Sequence, residues 1–201
     1  MKMKIEAKVI EAIRIKLSLD KSDPLIWREL LVPRDISFYK LHHTFQIAMG
    51  WTNSHLFEFK IEGYRIGEIF ENIEELDDGH IINAKETTLV SLVDKQGEHF
   101  KYEYDFGDGW NHTIILEKYE SLEPKRQLPF CVSGALKCPP EDCGGIPGFY
   151  NFLSVISNKR HPEHRETKEW AGGKFDPTEF DVININKQLK NIDKYFKSVE
   201  E

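Results

Sequence analysis

Long apolar runs are missing from this 201-residue sequence. Its hydrophobic stretches are far shorter than the roughly 20 residues that a helix needs to cross a bilayer. The first residues, Met1 to Ile5, are basic but have neither the apolar core nor the small-residue cleavage site of a signal peptide. We therefore expect no membrane segment and a cytosolic location.

Cysteine is also scarce. The chain has three, Cys131, Cys138 and Cys143, in the pattern C-x6-C-x4-C. An odd number does not make a disulfide framework, and the C-x-x-C pair typical of structural zinc sites is absent. Zinc bound by these thiols with His161 or His164 is one alternative, and buried, reduced thiols are the hypothesis that we favour.

The sequence has fewer basic than acidic residues: 27 Lys and Arg against 34 Asp and Glu, which gives a net charge of −7. Tight binding to a phosphate backbone needs a positive patch, so nucleic acid is not the expected partner. The sequence also lacks a glycine-rich nucleotide loop, a zinc-hydrolase helix motif and a nucleophile elbow. We therefore predict no cofactor and no bound metal.

The most informative segment that is present is a β-hairpin over residues 102–117. Aromatic and charged residues alternate before the turn, and Gly107 and Gly109 can supply the positive φ angles of a tight connection. Apolar residues then alternate again after the turn. The inward positions are Phe100, Tyr102, Tyr104, Phe106, Trp110, His112, Ile114 and Leu116.

Similar patterns predict the elements before this hairpin. Alternation predicts a first strand over residues 8–19 and a second through Ile26, Arg28, Leu30 and Val32 that stops at Pro33. A helix should follow, capped by Ser37, ended by Gly50 and apolar at Phe38, Leu41, Phe45 and Met49. A second hairpin, an acidic loop and a short capped helix complete this part, at residues 56–66, 70–80 and 87–93.

The remainder of the chain is predicted to be helical. Residues 128–148 are rich in Pro, Gly and Cys and should form an ordered loop, followed by a helix over 149–156 and a turn from His161 to Trp170. A last helix should begin at Asp176-Pro177, with the apolar stripe Val182, Ile185, Leu189, Ile192 and Phe196. Strands first and helices last indicate one α+β domain over 1–201, with a mainly antiparallel sheet in the N-terminal two thirds.

Several motifs resemble those of one family. They are Leu41-His42 to Gln46, Met49-Gly50-Trp51, His55-Leu56, the segment from Tyr102 to His112, Pro139 to Gly145, and Trp170 with Phe175-Asp176-Pro177. In this order they are similar to the plasmid pRi open-reading-frame-three-like family, also labelled insertion-element passenger proteins of a TnpR type. The resemblance implies a compact α+β domain of undetermined activity, often associated with mobile DNA. Cys138 departs from the family pattern.

The hairpin turn is the first candidate site. Asp105, Asp108 and His112 form D-x-x-D-x-x-x-H, a set of oxygen and nitrogen ligands that could hold a divalent metal or a polar substrate. Aspartates beside glycine in a turn also bond their own backbone, so ordering of the hairpin is the alternative.

The first helix supplies a second candidate. His42 and Gln46 share a face of the helix, and His55 precedes the third strand. These residues and His112 could converge on a pocket rimmed by Trp51 and Trp110. Each histidine could instead bridge the edge of the core.

Two functions remain open from these patterns. One is a binding or interaction module for a small polar ligand or a protein partner, through His42, Gln46, His55, Asp105, Asp108, Trp110 and His112. The other is a metal-dependent hydrolase or nuclease that uses Asp105, Asp108 and His112.

The spacing of the aromatic residues also predicts part of the core. We expect four side chains to be buried between the sheet and the first helix: Phe45, Tyr102, Tyr104 and Trp110.

Overall fold

A computed structural model describes residues 9–69 and 81–194. Its centre is a sheet of eight strands in the order β5-β4-β3-β6-β7-β1-β2-β8, in which every pair is antiparallel except β4 with β5. The strands are β1 Ile10–Leu19, β2 Trp27–Pro33, β3 Phe57–Ile61, β4 Tyr64–Gly67, β5 Ile81–Asn83, β6 His99–Tyr104, β7 Trp110–Leu122 and β8 Phe130–Ala135. The predicted α+β class is confirmed.

Four α-helices accompany the sheet in the described residues, together with a short 3₁₀ helix at Leu89–Ser91. The α-helices are α1 Phe38–Met49, α2 Gly145–Ser157, α3 His164–Trp170 and α4 Val182–Leu189. None of the described helices is long and apolar enough to cross a membrane.

The signature hairpin forms, with two departures from the prediction. Phe106 is 52% exposed rather than inward, and the positive φ angles of the turn lie at Asp105 and Gly109 rather than at Gly107. β6 and β7 pair antiparallel, with Tyr104 opposite Trp110 and Tyr102 opposite His112. All four of these side chains are fully buried, because alternation places them on the same face of the sheet. The predicted core is thereby confirmed, together with Phe45 from α1.

Helix α1 also follows its sequence signals. The Ser37 side chain accepts a hydrogen bond from Lys40 N, and Gly50 ends the helix with a φ of 87°. Its apolar face lies on the sheet, where Phe38 contacts Phe59 at 5.0 Å between ring centroids. This packing fixes the position of the loop that follows the helix.

Three predictions in the C-terminal part were wrong. The helix predicted over 149–156 begins earlier, at Gly145. The proline- and glycine-rich segment 128–148 contains strand β8, which has little alternation of its own and forms because the outer edge of β2 offers it a partner. The last helix begins at Val182 rather than after Asp176. Asp176 bonds Thr178 locally, whereas Asp181 accepts from Asn184 N as the helix cap.

Other predictions fall partly or wholly outside the described residues. These are the start of the first strand at residue 8, the acidic loop 70–80 and the stripe residue Phe196.

Helix α4 closes the edge of the sheet. The Asn186 side chain accepts from Cys131 N at 2.7 Å and donates to Cys131 O at 2.9 Å, so one amide satisfies both backbone groups of this β8 residue. An ion pair between Lys40 and Asp193 links α1 to the segment after α4. α4 is thereby held beside α1 as well as beside β8.

Candidate functional site

Three loops meet at one end of the sheet: residues 51–56 after α1, the hairpin turn 105–109, and residues 136–144 before α2. The Trp51 indole donates to Pro139 O at 3.0 Å. The Glu141 carboxylate accepts from Thr52 N at 2.9 Å and from the Tyr104 hydroxyl. These bonds join the loops 51–56 and 136–144 to each other and to Tyr104, the last residue of β6 before the hairpin turn.

The hairpin turn is ordered by its own aspartates. Asp105 Oδ1 accepts from Gly107 N at 2.9 Å, which closes the turn. Asp108 Oδ2 accepts from Gly144 N at 3.1 Å, just before α2. A side chain at Gly145 would collide with Asp108 O, so the glycine at this position allows α2 to approach the hairpin. One role of Asp108 is therefore to attach α2 to the turn.

His112 lies inside the core rather than at the surface of the turn. It is fully buried, its Nδ1 donates to Tyr102 O at 3.4 Å, and its ring faces Trp51 at 5.4 Å. Burial lowers the pKa of His112 to about 4, so the imidazole is neutral at pH 7. Within the described residues, neither His112 Nε2 nor Trp110 Nε1 has a hydrogen-bond partner.

His42 and Gln46 belong to a buried network around Tyr102. Gln46 Nε2 donates to the Tyr102 hydroxyl at 2.9 Å, and that hydroxyl can then donate to His42 Nδ1 at 2.7 Å. His42 Nε2 must in turn carry the proton that it gives to Asn53 Oδ1. Burial holds the pKa of His42 well below its usual value. The network is neutral and connects α1 to the following loop.

His55 occupies a separate position, between two carboxylates. Its Nε2 lies 3.0 Å from Asp142 Oδ1 and 3.6 Å from Asp105 Oδ2. In the part of the chain that the structure describes, these three residues are the group of His, Cys, Asp and Glu that could hold a metal ion. The trio predicted from the sequence, Asp105, Asp108 and His112, shares one member with it.

The three histidines surround two tyrosines instead of an open pocket. The Tyr102 ring contacts both His42 and His112, at 5.9 and 5.3 Å between centroids. The Tyr104 ring contacts His42 at 6.1 Å and His55 at 5.8 Å. His42, His55 and His112 therefore lie near one another, but the rings of Tyr102 and Tyr104 fill the space between them.

An open cleft of about 520 Å³ lies between α1 and α4. Of the predicted ligand residues, Gln46 lines it, and the predicted rim residue Trp51 does so as well. The full lining is His43, Gln46, Ile47, Trp51, Thr52, Asn53, Asn184, Lys187, Gln188, Asn191 and Ile192.

The α4 side of this cleft was missed by sequence reasoning. Asn184, Lys187, Gln188 and Asn191 recur at helical spacing, and that periodicity was the available signal. A polar helix face of this kind normally predicts a surface exposed to solvent. Only the packing of α4 beside α1 makes this face one wall of the cleft. His43 was missed because nothing in the sequence distinguishes it from a core-edge histidine.

The three cysteines are free thiols, as expected for reduced residues. Burial raises the pKa of Cys131 and Cys138 to about 11 and that of Cys143 to about 12.

We expect the native protein to react slowly with a thiol reagent at pH 8. The thiolate is the reactive form, and the raised pKa values keep these thiols protonated at that pH. Denatured protein should titrate three groups, and fewer than three would contradict the reduced state.

Comparisons with known proteins agree with this architecture. Residues 11–184 match the family described as Plasmid pRiA4b ORF-3-like protein. The uncharacterized protein y4hQ of Sinorhizobium fredii (strain NBRC 101917 / NGR234) is 36% identical over 189 residues, covering 92% of this chain and 93% of that protein. The crystal structure of MM3350, a protein of unknown function from Methanosarcina mazei Go1, has a TM-score of 0.78 at 30% identity and covers 87% of this chain and 97% of its own.

Proposed function

The chain belongs to the plasmid pRiA4b ORF-3-like protein family, and we propose that it is a non-enzymatic binding module whose cleft between α1 and α4 holds a small polar molecule with one negative charge. The observation that carries this proposal is the lining of the cleft. Among the described residues, the lining contains five amide side chains and Lys187 and no acidic side chain. In a protein of net charge −7, a cleft without acids favours an anionic ligand.

The charged and titratable groups that line the cleft are those expected for a ligand with one negative charge. Lys187 makes no ion pair within residues 9–69 and 81–194, so its ammonium group is available to an anion. Burial, with a contribution from Lys85, lowers the pKa of His43 to about 4. The imidazole is therefore neutral at pH 7, and the cleft offers a single positive charge.

The remaining lining supports a compact organic molecule. Amides both donate and accept hydrogen bonds, so they can fix the orientation of a ligand that carries several polar groups. Trp51, Ile47 and Ile192 add apolar surface for its carbon skeleton. The volume of about 520 Å³ lies within the range of small-molecule sites, roughly 300 to 1,000 Å³.

The sequence-predicted residues enter this proposal unequally. Gln46 is part of the wall, and His42 positions Asn53 through its hydrogen bond. The others do not line the cleft, and their role in binding stays a prediction: His55, Asp105, Asp108, Trp110 and His112.

The rival function, hydrolysis by Asp105, Asp108 and His112, has less support. His112 is fully buried, and Asp108 Oδ2 already accepts a hydrogen bond from Gly144 N.

A cytosolic location and an association with mobile genetic elements are further parts of our proposal. The second is supported by the plasmid name of the family.

Binding can be measured by thermal shift and calorimetry with defined sets of monocarboxylates, amino acids, nucleobases and neutral sugars. We expect an anionic compound to stabilise the protein and Lys187→Gln to weaken its binding by about tenfold or more. A hydrogen bond to a charged group contributes roughly 1.5 to 3 kcal/mol, and about 1.4 kcal/mol is tenfold in affinity.

The matched control is Lys190→Gln, which removes an exposed lysine that does not line the cleft. This variant should bind like the wild type. If both variants lost the same binding affinity, the change in net charge would explain the loss, and Lys187 would have no specific role. If none of these compounds stabilised the protein, the small-ligand proposal would be contradicted and a protein partner would be favoured.

A further inference from the structure

A second site, separate from the cleft, lies where His55 meets the hairpin turn. We propose that His55, Asp105 and Asp142 form a binding site for a first-row divalent cation such as Zn²⁺. One nitrogen and two carboxylate oxygens are typical ligands for such ions, whereas Mg²⁺ and Ca²⁺ prefer oxygen alone. This proposal departs from the sequence-based prediction of no bound metal, and its ligands differ from the trio Asp105, Asp108 and His112 that the motif at this hairpin offered.

The distances suit a metal. The ligand atoms of the three residues all lie within 4.8 Å of one another, with His55 Nε2 at 3.0 Å from Asp142 Oδ1 and 3.6 Å from Asp105 Oδ2. Bond lengths of about 2.1 Å place the ligands of a tetrahedral zinc roughly 3.4 Å apart. A small contraction of the longest separation is therefore enough to bring all three ligands to an ion.

The groups that face this position lack other partners among the described residues. His55 Nε2 is a buried atom without a hydrogen bond, although the side chain as a whole is 29% exposed. Asp105 has a side chain only 8% exposed, and its Oδ2 accepts no hydrogen bond there. Within residues 9–69 and 81–194, neither Asp105 nor Asp142 pairs with a Lys or Arg. A cation would satisfy the nitrogen and both carboxylates together.

The surroundings hold the ligands in place. Asp105 Oδ1 accepts from Gly107 N and Asp108 N, which orients the carboxylate so that Oδ2 points to His55. Glu141, next to Asp142, is bound by Thr52 and Tyr104 and adds negative charge close by. Asp142 is 69% exposed, so an ion can enter from solvent and keep positions for water.

The test is a calorimetric titration of the full chain with ZnCl₂ at pH 7, after treatment with a chelator and its removal. We expect one equivalent to bind and to raise the melting temperature. His55→Gln and Asp105→Asn should each weaken binding by at least tenfold. The amide oxygen that Asp105→Asn introduces can still accept from Gly107 N, so this variant should keep its fold, which circular dichroism checks.

His99→Gln is the matched control, because it removes an exposed histidine on β6 outside the cluster. It should bind zinc like the wild type. Co²⁺ provides a second readout: a site of nitrogen and oxygen ligands gives no sulfur-to-cobalt charge-transfer band, which a site that uses the neighbouring Cys143 would give.

Three outcomes would overturn the proposal. They are no zinc bound at millimolar concentration, unchanged affinity in both His55→Gln and Asp105→Asn, or a thiolate band that is lost in Cys143→Ser. The first would leave His55 as an ion-pair partner of the two aspartates. Since none of these residues lines the cleft, either result leaves the ligand experiment above unaffected.

Discussion

Replacing Trp110 by alanine should lower the free energy of unfolding by about 3 to 5 kcal/mol, as expected when a buried aromatic side chain is truncated. Trp110 is fully buried, lies opposite Tyr104 in the hairpin and packs against Trp51 at 5.9 Å between ring centroids. Its loss would open a cavity beneath the loop that carries the candidate sites. Urea unfolding followed by circular dichroism measures the effect.

Trp170→Ala is the control for this prediction. Trp170 belongs to α3 and is 52% exposed, so its truncation removes less buried surface and should cost much less. Equal losses in the two variants would show that the packing around Trp110 is not as described.

Replacing Arg28 by methionine should destabilise the protein by a similar amount, about 3 to 5 kcal/mol, because hydrogen bonds to a charged donor contribute roughly 1.5 to 3 kcal/mol each and are not additive. Arg28 is 3% exposed and lies on the core side of β2. Its guanidinium donates to four backbone carbonyls, those of Trp27, Ala48, Ala135 and Leu136.

These contacts explain why a charged residue occupies an apolar position. Arg28 joins the C-terminal end of α1 to the strand pair β2–β8, and its charge suits the negative end of the helix dipole. The Phe180 ring covers the guanidinium at 4.9 Å. Methionine fills much of the same space but leaves the four carbonyls without this donor.

Two further variants sharpen the measurement. Arg28→Lys keeps the charge but not the planar fork of donors, so we expect an intermediate loss. Arg34→Met removes an arginine whose ion pair with Glu11 is exposed, and it should leave the stability nearly unchanged. If Arg28→Met were as stable as the wild type, the carbonyl contacts would contribute little net stability.

Prediction from the sequence worked where the signals are local. The cap at Ser37, the glycine at position 50 and the alternation through Tyr102 and Trp110 depend on residues close along the chain, and the structure confirms the elements they predict. The α+β class followed from the order of these elements.

Prediction failed where one segment depends on another that is distant in the chain. Strand β8 has a poor pattern of its own and is stabilised by the edge of β2, and Asp181 rather than Asp176 caps α4. Arg28 alternates with apolar residues, which was a signal for burial. Three of its four carbonyl partners come from α1, from the end of β8 and from the residue that follows β8, so they could not be inferred from β2 alone.

The candidate sites divide in the same way. The sequence by itself determined that Asp105 and Asp108 lie in a tight turn and that Gln46 lies on α1, because short-range periodicity and turn chemistry set those positions. Only the tertiary structure decided that His55 lies between Asp105 and Asp142, and that α4 supplies the second wall of the cleft. Such neighbours are brought together by the packing of helices on the sheet, which depends on the complete core rather than on any local pattern.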